Sequence, residues 1–209
     1  MAFYNSIDNP SNFVASFRDN PRNDFPIFAK GYFQAAFALV EHLLAKQRFS
    51  DYEAYPVVFL YRQSLELYLK GIRYKTAVLF AFKDINGIDF CLYNNHRLVS
   101  LAQNVDRIFR ILFPNDQELS NIVAKINRVS SEFEEIDPDS QSYRYPIDKQ
   151  GNASTKPHQI VNLMALHETM KELLVEMDMI DFGIDVETTK AQEIYEVFEE
   201  VRRIRSQKE

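Results

Sequence analysis

The sequence predicts an all-α chain folded as an antiparallel helical bundle, and three observations carry that expectation. Only 5 Gly and 8 Pro occur in 209 residues, too few for a fold built from many turns and short strands. Aromatic side chains are plentiful, 17 Phe and 11 Tyr without a single Trp, enough to fill the core that a chain of this length supports. Apolar residues recur at three- and four-residue steps through most of the chain, the period of a helix with one buried face.

Residues 1–24, rich in Asn, Asp, Ser and Arg, read as an irregular arm. From Asp24 the pattern turns helical, with Phe28, Tyr32, Ala35, Leu39, Val40 and Leu43 on one face. Ser50 and Asp51 are suited to cap a second helix, Pro56 to sit in its first turn, and the helix to run to about residue 82. Asp84-Ile85-Asn86-Gly87 ends it. Asn94 or Asn95 is placed to cap a third helix that opens at His96 and carries Leu98, Leu101, Val105, Ile108 and Leu112 inward. Pro114-Asn115 stops that one, and residues 117–135 form a fourth, with Leu119, Ile122, Val123, Ile126 and Val129 inside. Residues 136–157 have no helical period; their prolines, glycine and short polar residues predict turns and a small hairpin. A loop of that length within a helical domain is uncommon, and loops of this kind often carry function.

A fifth helix follows Pro157 through Val161, Leu163, Met170, Leu174 and Met177. A break is expected at Asp181-Phe182-Gly183, and a last amphipathic helix over about 186–205, where Ala191, Ile194, Phe198 and Val201 form a stripe among Glu and Arg. The expected organisation is therefore an arm over 1–24, a bundle over 25–181 and a C-terminal helix over 182–209.

Composition limits the function. A net charge of −6 argues against a broad nucleic-acid-coating surface while leaving room for a local basic cleft. Cys91 is the only cysteine, so neither an intramolecular disulfide nor a cysteine-based metal site can form. No apolar run reaches membrane-spanning length and the first residues lack a leader pattern, which points to a cytoplasmic protein without membrane association. Gly-rich phosphate loops, His-Glu-x-x-His and Gly-x-Ser-x-Gly are all missing, and no cofactor or metal is expected.

Candidate chemistry begins on the second helix. Arg62, Glu66 and Lys70 stand at four-residue steps, so Glu66 has a cation one turn away on either side. They interrupt a stretch dominated by Val57, Val58, Phe59, Leu60, Leu65, Leu67 and Leu69; charges on a helix that is apolar nearly all round need partners. The bland reading is a salt-bridged stripe on a solvated face. The functional one makes the ladder the floor of a polar site. His96, directly after two asparagines, is a candidate anion contact or proton carrier, with a capping-region histidine as its bland alternative. His42, His158 and His167 have weaker claims, the first and last within helical patterns and His158 behind a loop proline. In the long loop Tyr143-Arg144-Tyr145-Pro146 sets a guanidinium between two rings, a combination suited to gripping phosphate while an aromatic stacks on a base.

The order of these features (Tyr61-Arg62-Gln63-Ser64-Leu65-Glu66-Leu67-Tyr68-Leu69-Lys70, then Asn95-His96-Arg97-Leu98, then Phe133-Glu134-Glu135-Ile136-Asp137-Pro138 and Tyr143-Arg144-Tyr145-Pro146) resembles the HEPN superfamily of small helical domains. The resemblance covers about residues 25–180. It implies a bundle of four or more helices, commonly dimeric, that binds nucleotide or RNA in a bacterial toxin–antitoxin, antiviral defence or related setting, in some members with a partner protein from a neighbouring gene. Many members are metal-independent RNases, marked by an Arg followed four to six residues later by a His on one helix. None of His42, His96, His158 and His167 has an Arg so placed, so the standard RNase mechanism is not expected. The resulting expectation is a ligand site of Arg62, Glu66, Lys70, His96, Arg144 and Tyr145 in a homodimer. Two alternatives stand beside it: a protein-interaction or antitoxin-like adaptor subunit, and an RNase whose Arg62 and His96 come from different segments.

Overall fold

A computed structural model describes residues 24–46, 48–85, 95–138, 140–148, 150–155 and 160–206. The arm before Asp24, Asn94, Cys91 and His158 lie outside the described residues. The described chain is all-helical: α1 (Phe25–Ala45), α2 (Asp51–Phe82), α3 (Leu98–Leu112), α4 (Gln117–Ile136) and α5 (Leu163–Ser206). No helix among the described residues is long and apolar enough to cross a membrane.

Helix α2 is the centre. It packs against α1 along one side and α5 along another, and it also touches α3, which pairs with α4. Enclosure from several directions explains its nearly continuous apolar run. Tyr61, Leu65, Leu69 and Ile72 all join one core with Val40 of α1, Leu101 and Val105 of α3, Ile126 of α4 and Leu173 of α5. Where α1 begins, the two backbones come so close that a Cβ on Gly71 would stand 3.2 Å from the Pro26 ring. Seven residues earlier on α2 the Ser64 hydroxyl donates to the Ala29 carbonyl at 2.7 Å, so this seam is also tied by a buried hydrogen bond.

Helix boundaries depart from the sequence pattern where side chains supply caps. α2 starts at Asp51, so Pro56 lies inside the helix rather than in its first turn. Ser50 is the N-cap, as its place in the sequence suggests, and the start is held by Glu53, whose carboxylate accepts the Ser50 N–H at 2.8 Å and takes the Lys46 ammonium at 3.0 Å. α3 opens at Leu98, not at His96, because the Asn95 side chain accepts the Arg97 N–H at 3.0 Å and turns the backbone before the helix begins. Its second residue is then capped from another element, Glu134 of α4 accepting the Val99 N–H at 3.3 Å. α5 likewise begins after Val161, with Asn162 accepting the Ala165 N–H at 3.0 Å.

The break expected at Asp181-Phe182-Gly183 is absent; α5 runs through it as one helix of 44 residues. Glycine disfavours a helix interior by only about 1 kcal/mol relative to alanine. Against that stand the buried Ile184 beside it and the Asp181 carboxylate bound by Lys75 of α2 at 2.7 Å. Tertiary burial decides the outcome.

Between α4 and α5 the described residues make turns and one antiparallel bridge, Ile147 to Ala153. Asp148 closes it by accepting the N–H groups of Gln150 and Asn152, both at 2.8 Å, around Gly151 at φ +85°.

Candidate functional site

Arg62, Glu66 and Lys70 point into the structure as one connected cluster. Arg62 has no exposed surface at all, and every nitrogen of its guanidinium finds an acceptor. Nη1 donates to Glu66 Oε2 at 3.0 Å, Nη2 to the His96 carbonyl at 3.0 Å, and Nε to the Asp137 carbonyl at 3.3 Å, with Asp137 Oδ2 at 3.5 Å. One side chain of α2 thereby fixes the segment entering α3 and the chain leaving α4. A planar fork of donors does this where an ammonium would not.

Glu66, equally enclosed, has both oxygens engaged. Oε2 takes Arg62, while Oε1 takes Lys70 Nζ at 2.8 Å and the His96 Nδ1 at 2.9 Å. Burial pushes this carboxyl upward. The hydrogen bonds from Lys70 and His96 and the charges of Lys70 and Arg62 overcome that and hold it below the ordinary value of 4.5, so it is ionised at neutral pH. A carboxylate only accepts, which places the proton of neutral His96 on Nδ1 and leaves Nε2 as the open lone pair. The His96 side chain is 59% exposed, unlike its three neighbours, and no described residue bonds its Nε2.

Asp137 extends the cluster into the long loop. Its Oδ1 accepts the N–H groups of Gln141 and Ser142 at 2.7 and 2.9 Å, which shapes the turn at Ser140, a residue at φ +58°. The Ser140 carbonyl accepts Arg144 Nε at 2.7 Å. The Arg144 guanidinium lies over the Phe59 ring at 5.4 Å and the Tyr145 ring at 5.6 Å, and Tyr143 meets Tyr55 edge-on at 6.0 Å. Arg144 and Tyr145 are both exposed. They do not join the buried cluster. Arg144 stands over Phe59, one turn of α2 before Arg62, and is linked to the cluster through the Ser140 carbonyl and the Asp137 turn.

The six expected residues therefore divide in two. Arg62, Glu66 and Lys70 form the buried support; His96, Arg144 and Tyr145 are the members that face solvent. Sequence pattern missed Asp137, because nothing in the acidic run Glu134-Glu135-Ile136-Asp137 marks which carboxylate turns inward. It also undervalued His167. That ring is buried between α1, α2 and α5, with the Tyr61 hydroxyl 2.6 Å from Nδ1 and the Glu41 carboxylate 3.5 Å from Nε2. Burial, and less so the Glu41 charge, raises the Tyr61 hydroxyl above its ordinary value, so it stays protonated and donates to His167. A polar residue on the inner stripe of α5, four after Leu163 and three before Met170, was the available signal. Among the described residues no group of three or more His, Cys, Asp or Glu is placed to hold a metal ion.

No family model, curated protein or solved structure matches the chain.

Proposed function

We propose that the chain binds a phosphate-bearing ligand, a nucleotide or RNA, at the solvent edge of this cluster, in a HEPN-like role within a bacterial defence or toxin–antitoxin system. The observation that carries the reading is a buried, ionised Glu66 that orients a solvent-facing imidazole. In its doubly protonated form His96 donates Nε2–H to a phosphate oxygen while Nδ1–H stays on Glu66, and Arg144 offers a guanidinium already stacked on aromatic rings, ready for bidentate contact. Tyr145 supplies an exposed ring for a base. Arg62, Glu66 and Lys70 act as positioning residues in this scheme, since their own donors and acceptors are turned toward one another.

Labelled RNA and labelled nucleotides, each titrated against the intact chain and its variants, test the proposal. His96→Ala and Arg144→Ala are expected to weaken binding by about tenfold or more each, the scale of a lost charge-assisted hydrogen bond, with helicity unchanged. Cleavage of RNA that disappears in His96→Ala adds a proton-transfer role for the imidazole. Absence of any binding by the folded wild-type chain, or binding indifferent to both substitutions, overturns the reading.

A further inference from the structure

Helix α5 has two apolar faces. The inner one, Met170, Met177, Ile184 and Ala191, is buried at seven-residue steps against the bundle. Two residues further along a helix the direction turns by about 200°, so Met179 and Val186 point directly outward, as do Val175 and Phe182 on the near side. All four are exposed. The outer stripe continues past Lys190 through Ile194, Val197, Val201 and Ile204, each exposed as well. From Val175 to Ile204 the steps are three or four residues, the period of a straight helix, so this is one unbroken face about 44 Å long. Exposures of 38% to 69% over eight large apolar side chains are far from the scattered single residues of an ordinary surface. Beyond Ala191 no residue through Arg205 is fully buried, and the Tyr195 ring meeting Phe82 of α2 edge-on at 5.9 Å is the ring contact that continues.

We infer that this outer face pairs α5 with α5 of a second copy, antiparallel. The near-palindromic spacing of the stripe names the occupant, and the placement of charge favours the direction. Residues 168–187 carry seven carboxylates and the single cation Lys171, whereas the last described turns carry Arg202, Arg203 and Arg205. Antiparallel pairing sets the basic end of each copy beside the acidic stretch of the other, Arg203 near Asp178 and Arg205 near Glu176, carboxylates that Lys30 and Lys125 of their own copy also hold at 3.1 and 2.7 Å. Parallel pairing lays carboxylates along carboxylates and arginines along arginines. The stripe is also close to palindromic about Lys190, its only polar member: Val186 meets Ile194, Phe182 meets Val197, and Met179 meets Val201. Lys190, bound to Glu187 at 2.9 Å within its own helix, falls at the two-fold beside Glu187 and Glu193 of the second copy. One polar residue in an apolar seam fixes register, at some cost in stability. Both bundles lie on the inner faces, so neither obstructs the contact.

Sedimentation equilibrium of the full chain over a concentration series is the test, together with Phe182→Glu/Val197→Glu and two cysteine variants in a Cys91→Ser background. The expected result is a dimer whose mass halves in the double Glu variant while its helical signal persists. Under oxidation Lys190→Cys should link to itself across the two-fold, and Ile204→Cys should not. A monomeric wild-type chain, its stripe left to residues 1–23 or to another partner, overturns the proposal. So does a dimer that survives the two glutamates, or a self-link at Ile204→Cys, the mark of parallel pairing.

Discussion

Arg62 shows how much a single enclosed side chain can organise. Removing one partner from a buried ion pair leaves an uncompensated charge, so Arg62→Ala is expected to cost about 3–5 kcal/mol in urea unfolding. His96→Ala, which removes one half-exposed ring, should cost no more than about 1 kcal/mol. A result in which the two substitutions are equally mild shows that Arg62 is not the anchor described above. Glu66 supplies a pH signature. Its folded value lies below the ordinary 4.5, so its contribution is fully present above that pH and is lost as pH falls through the folded value. The stability gap between the wild-type chain and Glu66→Gln, followed by melting temperature, should therefore narrow below pH 4.5. The ladder was legible because i,i+4 spacing is local. His96 could be suggested but not placed, since a separation of 30 residues from Glu66 carries no register. Asp137 and the Tyr61–His167 pair depend on packing between distant helices, which periodicity does not encode.

At the level of elements the two helical glycines of α2 and α5 behave oppositely. A Cβ on Gly183 meets nothing within 4 Å, so Gly183→Ala should stabilise the chain by about 0.5–1 kcal/mol in denaturant melts. On Gly71 it would crowd the Pro26 ring and the Phe25 Cβ, at 3.2 and 3.3 Å, and Gly71→Ala should destabilise. A loss at Gly183 as well would mean that α5 is interrupted there after all. These same positions show why the helix pattern was read well and its ends less so. Apolar spacing reports a buried face over many residues and survives one misplaced glycine. A boundary hangs on a single cap, such as Glu134 reaching Val99 from α4, and such a cap has no local signature.

For the molecule as a whole, Ala191 is the last buried residue of α5, and beyond it the Tyr195 ring against Phe82 of α2, at 5.9 Å, still touches the bundle. A chain ending at Ala191 should keep its helical core. If the outer stripe pairs copies as inferred, the full chain should melt higher as its concentration rises, whereas the shortened one should melt at a constant temperature. Concentration dependence that persists in the shortened chain assigns the contact to another surface. The Arg62 junction also bears on how the chain reaches its native state. Glu66 is available as soon as α2 forms, but the other two acceptors, the carbonyls of His96 and Asp137, arrive from 34 and 75 residues further along. A collapsed chain with either segment misdocked strands guanidinium N–H groups among leucines without water or acceptor. Such near-native traps are penalised at that one point, so Arg62 works as a proofreading contact during folding: it closes only when two distant segments have both found their places.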